Sequence, residues 1–249
     1  MRLFLHELTN QQRLFWRSHE SAFFTFILPL ILLLIVGLVY GDTTIDGEPA
    51  APYLVAGMLG FGVVATAYAG LAINVVIRRE SGVLKRVRGT PLPPAGYLGA
   101  VIVSTLVVLG VEALGQVLIG RYVLDAGFPE SPGGLAVALL LGVAAFSALG
   151  LATTAIVRSA EGSSAIVNAI YLPMVFISGV FFSVGALPGF LEAIAEVLPL
   201  TYLLDLIRAV FVENDGLESS WRAILVVAVW GVAGALLALR SFRWQPHEG

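Results

Sequence analysis

The chain has 249 residues, of which 58% are hydrophobic and only 12% charged, with a mean hydropathy of +0.91. A soluble domain carries about 25% charged residues; half that share, joined to apolar runs of some twenty residues, excludes an ordinary soluble fold and predicts an all-α polytopic membrane protein. Cysteine is absent, which excludes a disulfide framework, a thiolate nucleophile and a cysteine metal site. The net charge of −3 carries little information, because charge in such a chain is sorted by side of the membrane. No soluble stretch is long enough to build a core of its own, so residues 1–249 read as one transmembrane domain.

Residues 2–18 alternate Leu3, Phe4, Leu8, Leu14 and Phe15 with Arg2, Glu7, Arg13 and Arg17. This is too polar to cross a bilayer and suits a helix lying on its surface, with Trp16 at the headgroups. The first expected span is 21–40, with Pro29 inside it as a kink. It is preceded by polar residues and lacks a small-residue cleavage site, so it reads as a retained span. An acidic loop holds Asp42, Asp46 and Glu48. The second span, 53–77, is rich in Gly and Ala, which let helices approach closely.

The most basic segment follows, 78–97, RRESGVLKRVRGTPLPPAGY. Five of the fourteen Lys and Arg lie here: Arg78, Arg79, Lys85, Arg86 and Arg88. Val83, Leu84 and Val87 share one face at helical spacing. Gly89 can end that helix, and Thr90-Pro91 keeps it from resuming. Spans are expected at 98–119, 134–157, 163–182 (with Pro173 inside) and 221–239. Between the last two, 183–220 is apolar but broken by Pro188, Gly189 and Pro199. Its pieces are too short to cross a core of roughly 30 Å, so they predict two short helices dipping into or lying on the outer leaflet. Asp205 and Arg208, one turn apart, are expected to pair locally.

Six spans with the N-terminus inside place eleven basic residues inside: Arg2, Arg13, Arg17, Arg78, Arg79, Lys85, Arg86, Arg88, Arg158, Arg240 and Arg243. Three fall outside, Arg121, Arg208 and Arg222. This asymmetry puts both termini in the cytoplasm and the chain in a plasma or inner membrane.

The order of parts resembles the permease subunits of type-two ABC exporters, a family of drug, antibiotic and polysaccharide exporters. Two motifs carry the resemblance over nearly the whole chain. The basic loop is similar to the family pattern at Glu80, Gly82, Leu84, Lys85, Arg88, Thr90, Pro91 and Leu92. The second motif comprises Asn168, Pro173, Phe176, Ser178, Gly179, Phe182, Leu187, Pro188, Pro199, Leu200, Thr201, Tyr202, Asp205 and Arg208, with Ser183 where the family has proline.

The resemblance implies an exporter half that works as a transport subunit and not as an enzyme. A second permease subunit, expected as an identical copy, would complete the path. Two ATPase subunits would bind ATP and Mg beneath. No G-x-x-x-x-G-K-S/T loop occurs in this chain, so no nucleotide cofactor is expected in it. The resemblance makes 78–97 a coupling loop, with its helix around Glu80 to Arg88. Val83, Leu84 and Val87 would be its packed face, and Glu80, Gly82, Lys85 and Arg88 its polar and turn positions, docked on the ATPase. An ATP-driven exporter of an amphipathic drug or antibiotic is the first reading, as in multidrug efflux. Export of a lipid-linked glycan or other envelope lipid is the alternative.

Glu112 is the one acidic residue inside a span. A charge at mid-membrane costs about 2.5–3.5 kcal/mol on insertion scales, so this residue is expected to face protein or water. Gln116, one turn on, can share a hydrogen bond with it. A substrate-path role and a packing role both fit. Thr66, Tyr68, Asn74, Asn168, Tyr171 and Phe176 are further path candidates, with bonding between helices as their ordinary use. Phe181 and Phe182 are candidates for an outer gate. The histidines His6, His19 and His247 have no metal-ligand spacing, and no catalytic cluster is present. A membrane enzyme therefore lacks its polar constellation. A channel or secondary transporter lacks charges in several spans and a repeat.

Overall fold

The computed structural model describes residues 2–41, 43–212, 219–242 and 244–245. Asp42 of the acidic loop, the basic Arg243, His247 and the middle of the loop at 213–218 lie outside the described residues. The described residues are all-α apart from one hairpin of two two-residue strands. Among the described residues, six helices are long and apolar enough to cross a membrane.

Helix α1 is Arg2–Arg17, and α2 is His19–Tyr40. Within α2, Phe23–Ile27 winds as a π-helix just before Pro29, whose missing N–H leaves the preceding turn one donor short. The hairpin strands β1 (Thr44–Ile45) and β2 (Glu48–Pro49) follow. Asp46 and Gly47 both take positive φ there, the geometry that an Asp-Gly pair favours in a tight turn.

Helix α3 is Ala50–Glu80, 31 residues, with a π-helical stretch at Val64–Gly70. At about 1.5 Å per residue it is roughly 46 Å long, well beyond the hydrocarbon core. It therefore runs on past the expected end at 77, and Arg78, Arg79 and Glu80 belong to the span helix and not to the loop. Helix α4 is Val83–Arg88, and α5 is Pro94–Val123. Helix α6, Pro132–Thr153, stops before the expected 157, where residues 154–156 form a turn. Helix α7, Ala160–Ile177, stops short of 182 because Gly179 takes a φ of +88°, which ends right-handed winding. Phe181 and Phe182 are thus loop residues.

Two short helices follow, α8 (Gly189–Ala195) and α9 (Pro199–Phe211), and then α10 (Trp221–Ser241). Helix α9 leaves Asp205 exposed on one face and turns its apolar face inward. It is inserted into the bundle, with Leu200, Leu203, Leu204, Leu206, Ile207 and Val210 all buried. Glycines make room for it. A methyl group on Gly60 would meet Leu204 at 2.4 Å, and one on Gly142 would meet Leu203 at 2.9 Å. Helix α3 is the hub, packed by α2, α5, α6, α7 and α9. Its close approaches are backbone to backbone. A Cβ on Gly57 would sit 2.1 Å from the Val180 carbonyl, and one on Gly150 of α6 would sit 2.9 Å from the Tyr68 carbonyl. In lipid, where burial of apolar surface gives helices no net drive to associate, such contacts supply the packing.

Candidate functional site

The end of the molecule that carries the basic segment is built from the C-terminus of α3 outwards. After Glu80 the backbone turns at Gly82, φ +72°, a conformation that glycine adopts without a Cβ clash. That turn starts α4. Leu84 is 0% exposed and packs into a small apolar cluster with Leu71 and Val75 of α3, Tyr97 of α5, Leu151 of α6 and Ala238 of α10. The expected docking face is corrected here. Leu84 points into its own bundle, because one turn of helix following a reversal lays its apolar side back on the helices it came from. Val83 and Val87 are half-buried, and Val87 packs against the same cluster. The outward surface of α4 is cationic: Lys85, Arg86 and Arg88 are exposed.

Glu80, expected as an ion-pairing group for a partner, is engaged within the chain. Its Oε1 accepts from Arg79 Nε at 2.7 Å, and its side chain is 16% exposed. Arg79 itself is 1% exposed. Its Nη1 donates to the Thr154 carbonyl at 2.8 Å, and its Nη2 to the Val157 carbonyl. Those carbonyls follow the last turn of α6, where helix winding leaves acceptors without partners and the helix dipole favours a cation. Arg78 turns the other way, donating from Nη1 to Gln11 Oε1 of α1 at 2.6 Å and to the Tyr97 hydroxyl at 3.0 Å. Gln12 donates to the Ser104 carbonyl and hydroxyl, both at 3.0 Å. Helix α1 is thereby bonded to α3 and α5 beside the basic helix.

Glu112 and Gln116 of α5 are 2% and 0% exposed. Gln116 Nε2 donates to Glu112 Oε1 at 3.1 Å, as the one-turn spacing predicts, while Glu112 Oε2 and Gln116 Oε1 have no partner. A Cβ on Gly62 of α3 would lie 2.6 Å from Glu112 Oε1. The acid is therefore wedged into the α3–α5 contact, inside the subunit. Thr66 and Asn74 bond to their own helix, donating to the Gly62 and Gly70 carbonyls at 2.7 and 2.8 Å. Tyr68 alone of that group bonds across helices, to Thr153 at 3.1 Å.

Tyr171 is buried, its ring 6.1 Å from Phe61. Phe181 lies 6.5 Å from Phe61 and 6.0 Å from Phe176, so the structure brings Phe61, Tyr171, Phe176 and Phe181 into one aromatic group. Phe176 is 54% exposed on the outer side of α7, and Asn168, eight residues earlier, is half-buried. Phe182 contributes its carbonyl, which accepts from the Tyr53 hydroxyl at 3.4 Å.

Around Tyr53 the other end of the bundle is fastened. The Arg208 guanidinium of α9 lies 3.7 Å above the Tyr53 ring and donates to the Gly179 carbonyl. Asp205 lines the same recess, together with Asp46 and Glu48 of the hairpin. Arg208 thus ties α9 to the start of α3 and the end of α7. Sequence reasoning missed Arg79 and Tyr53. A charged residue next to a span, and a tyrosine at a span's first turn, are the only signals that could have pointed to them. Among the described residues no group of three or more His, Asp and Glu could hold a metal ion.

Among the described residues, six helices long and apolar enough to cross a membrane, around a glycine-rich hub, with a basic helix fastened across one end and an inserted helix at the other, define a multi-pass membrane protein. The family profile described as ABC-2 type transporter matches residues 2–212, and the chain belongs to that family. Among its relatives is the daunorubicin resistance ABC transporter permease protein DrrB1 of Streptomyces coeruleorubidus, 28% identical over 226 residues, 87% of this chain and 76% of that protein. The inner membrane transport permease YadH of Escherichia coli strain K12 is 23% identical over 217 residues, 82% of each chain. Nodulation protein J of Rhizobium leguminosarum bv. viciae is 34% identical over 103 residues, 40% of each.

Proposed function

We propose that this ABC-2 permease is the membrane half of an exporter for an amphipathic drug or antibiotic, driven by a separate ATPase that docks on α4. The observation that carries the reading is the split character of α4. Leu84 anchors it in the bundle, while Lys85, Arg86 and Arg88 face outward as an unbroken cationic edge. A helix held that way is a rigid lever with a charged contact surface, and charge at a contact sets orientation and register. The charge asymmetry supports a cytoplasmic position for that edge and for both termini.

ATP and Mg belong to the partner, expected in two copies, since this chain has no phosphate loop. A second copy of the permease completes the path, with the outward side of α7, Asn168 and Phe176 included, as its lining and the Phe181–Phe182 turn at its outer end. Support for a drug-like substrate comes from the relative named for daunorubicin resistance, which aligns over 87% of this chain.

The test is co-purification with the ATPase subunit. Lys85→Glu together with Arg88→Glu is expected to abolish retention of the ATPase while leaving the permease folded. Full retention and full drug efflux by that variant would remove the docking assignment. Glu80 is unsuited to this test, because reversing it breaks an ion pair inside the chain.

A further inference from the structure

We infer that Arg79 is the positioning residue through which motion at α4 reaches α7. The inference rests on the docking reading above and assigns its internal link. Helix α4 is fixed by Leu84 to α3, α5, α6 and α10, so those four ends and the basic helix form one block. Helix α7 contributes no side chain to that cluster, although it packs along the end of α3. It leaves the block through the turn that follows α6, Thr154 to Ser159. Both Thr154 and Val157 are fully buried there, and each presents its carbonyl to Arg79.

The same guanidinium holds Glu80, two residues before the turn into α4. One planar, five-donor group thus ties the root of the basic helix to the root of α7. The arrangement uses what arginine offers and lysine does not: fixed donors in three directions at once. A buried carbonyl that loses its donor is costly, so the turn follows the guanidinium and not water. Displacement of α4 by a partner is therefore delivered to the start of α7, the helix whose outer side carries Asn168 and Phe176.

The cysteine-free chain allows a direct test. Spin labels at Ala95→Cys (first turn of α5) and Ser164→Cys (first turns of α7), both exposed positions, report the block and α7 separately. Distances are measured by pulsed electron resonance in the complex with the ATPase subunit, before and after trapping with ATP and vanadate. With Arg79 present, the Ala95–Ser164 distance is expected to stay narrow and constant through trapping. Arg79→Met is expected to broaden it and shift it on trapping. Arg79→Lys, which keeps the cation but not the fork, is expected to shift it in the same direction by less, and it serves alone if the Met variant fails to insert.

A distance that is as narrow and as constant in these variants as in the parent would overturn the inference. Retention of the ATPase subunit by the variant carrying Lys85→Glu and Arg88→Glu is read in parallel. If that variant keeps the ATPase bound, docking on α4 is wrong whatever the spin labels report. If it loses the ATPase while the Arg79 variants show no shift, only the link through Arg79 is wrong.

Discussion

Single residues here act through backbone geometry as much as through charge. Gly82 is the sharpest case, because its φ of +72° sets the direction of α4. Alanine there is expected to cost about 1 kcal/mol, the ordinary penalty of a left-handed L-residue. Nothing crowds the missing Cβ, so the loss is conformational alone. It is read as a lower melting temperature of the purified permease and weaker retention of the ATPase.

Glu112 is the second case. With one oxygen bonded to Gln116 and the other unpartnered, a neutral side chain suits the site better than a carboxylate. Glu112→Gln is expected to preserve the melting temperature or raise it. Glu112→Ala strands the Gln116 amide and opens a void, with a loss of about 1–3 kcal/mol from the unpaired group. Equal melting temperatures for the two variants would show that the bond contributes nothing to packing. Efflux by Glu112→Gln, compared with the parent for a cationic drug, measures the path role separately.

At the scale of elements, the inserted helix α9 depends on small residues in its neighbours. Its apolar side is filled by α3 and α6 only because Gly60 and Gly142 leave room for Leu204 and Leu203. Gly57 does the same for the turn after α7, whose Val180 carbonyl would stand 2.1 Å from a new Cβ. That neighbour is backbone and cannot step aside. Gly57→Ala is therefore expected to exceed the usual overpacking loss of about 1–3 kcal/mol and to prevent stable insertion, seen as loss of the monodisperse peak on size exclusion. A monodisperse Gly57→Ala protein would mean that the α3–α7 junction is looser than drawn here. The two π-helical stretches, Phe23–Ile27 and Val64–Gly70, are the irregular parts of otherwise continuous spans. Proline explains the first. For the second we have no sequence cause beyond its small residues, which tolerate a widened turn against α6 and α7.

For the whole molecule the testable property is sidedness. Six crossings would return the chain to the side on which it began and put α4, the α6–α7 turn and both ends in one compartment, the arrangement the proposal needs. A membrane-impermeant thiol reagent applied to intact cells is expected to label Glu130→Cys, in the loop after α5, and to spare Lys85→Cys and Arg158→Cys. All three positions are exposed. The opposite pattern would invert the molecule and with it the docking proposal.

Span number, the basic helix and the short-helix pair were legible in the chain because transfer free energy and breaker residues are local properties. The ends of α3 and α7 were less so. Arg78, Arg79 and Glu80 are polar enough to look like loop, and only their tertiary partners carry the helix through them. Likewise Phe181 and Phe182 are apolar enough to look like span, although Gly179 stops the winding before them.

By itself, then, the amino-acid sequence determined a polytopic all-α permease with a basic helix after its second span. The tertiary structure decided which side of that helix is free. Leu84 is spent on the bundle, Glu80 on Arg79, and Lys85, Arg86 and Arg88 remain outside. The physical reason is range. A hydropathy pattern reports what each segment exchanges with lipid or water, whereas the donors that satisfy the buried carbonyls of Thr154 and Val157 come from a residue more than seventy positions away, as the separations of 75 and 78 show.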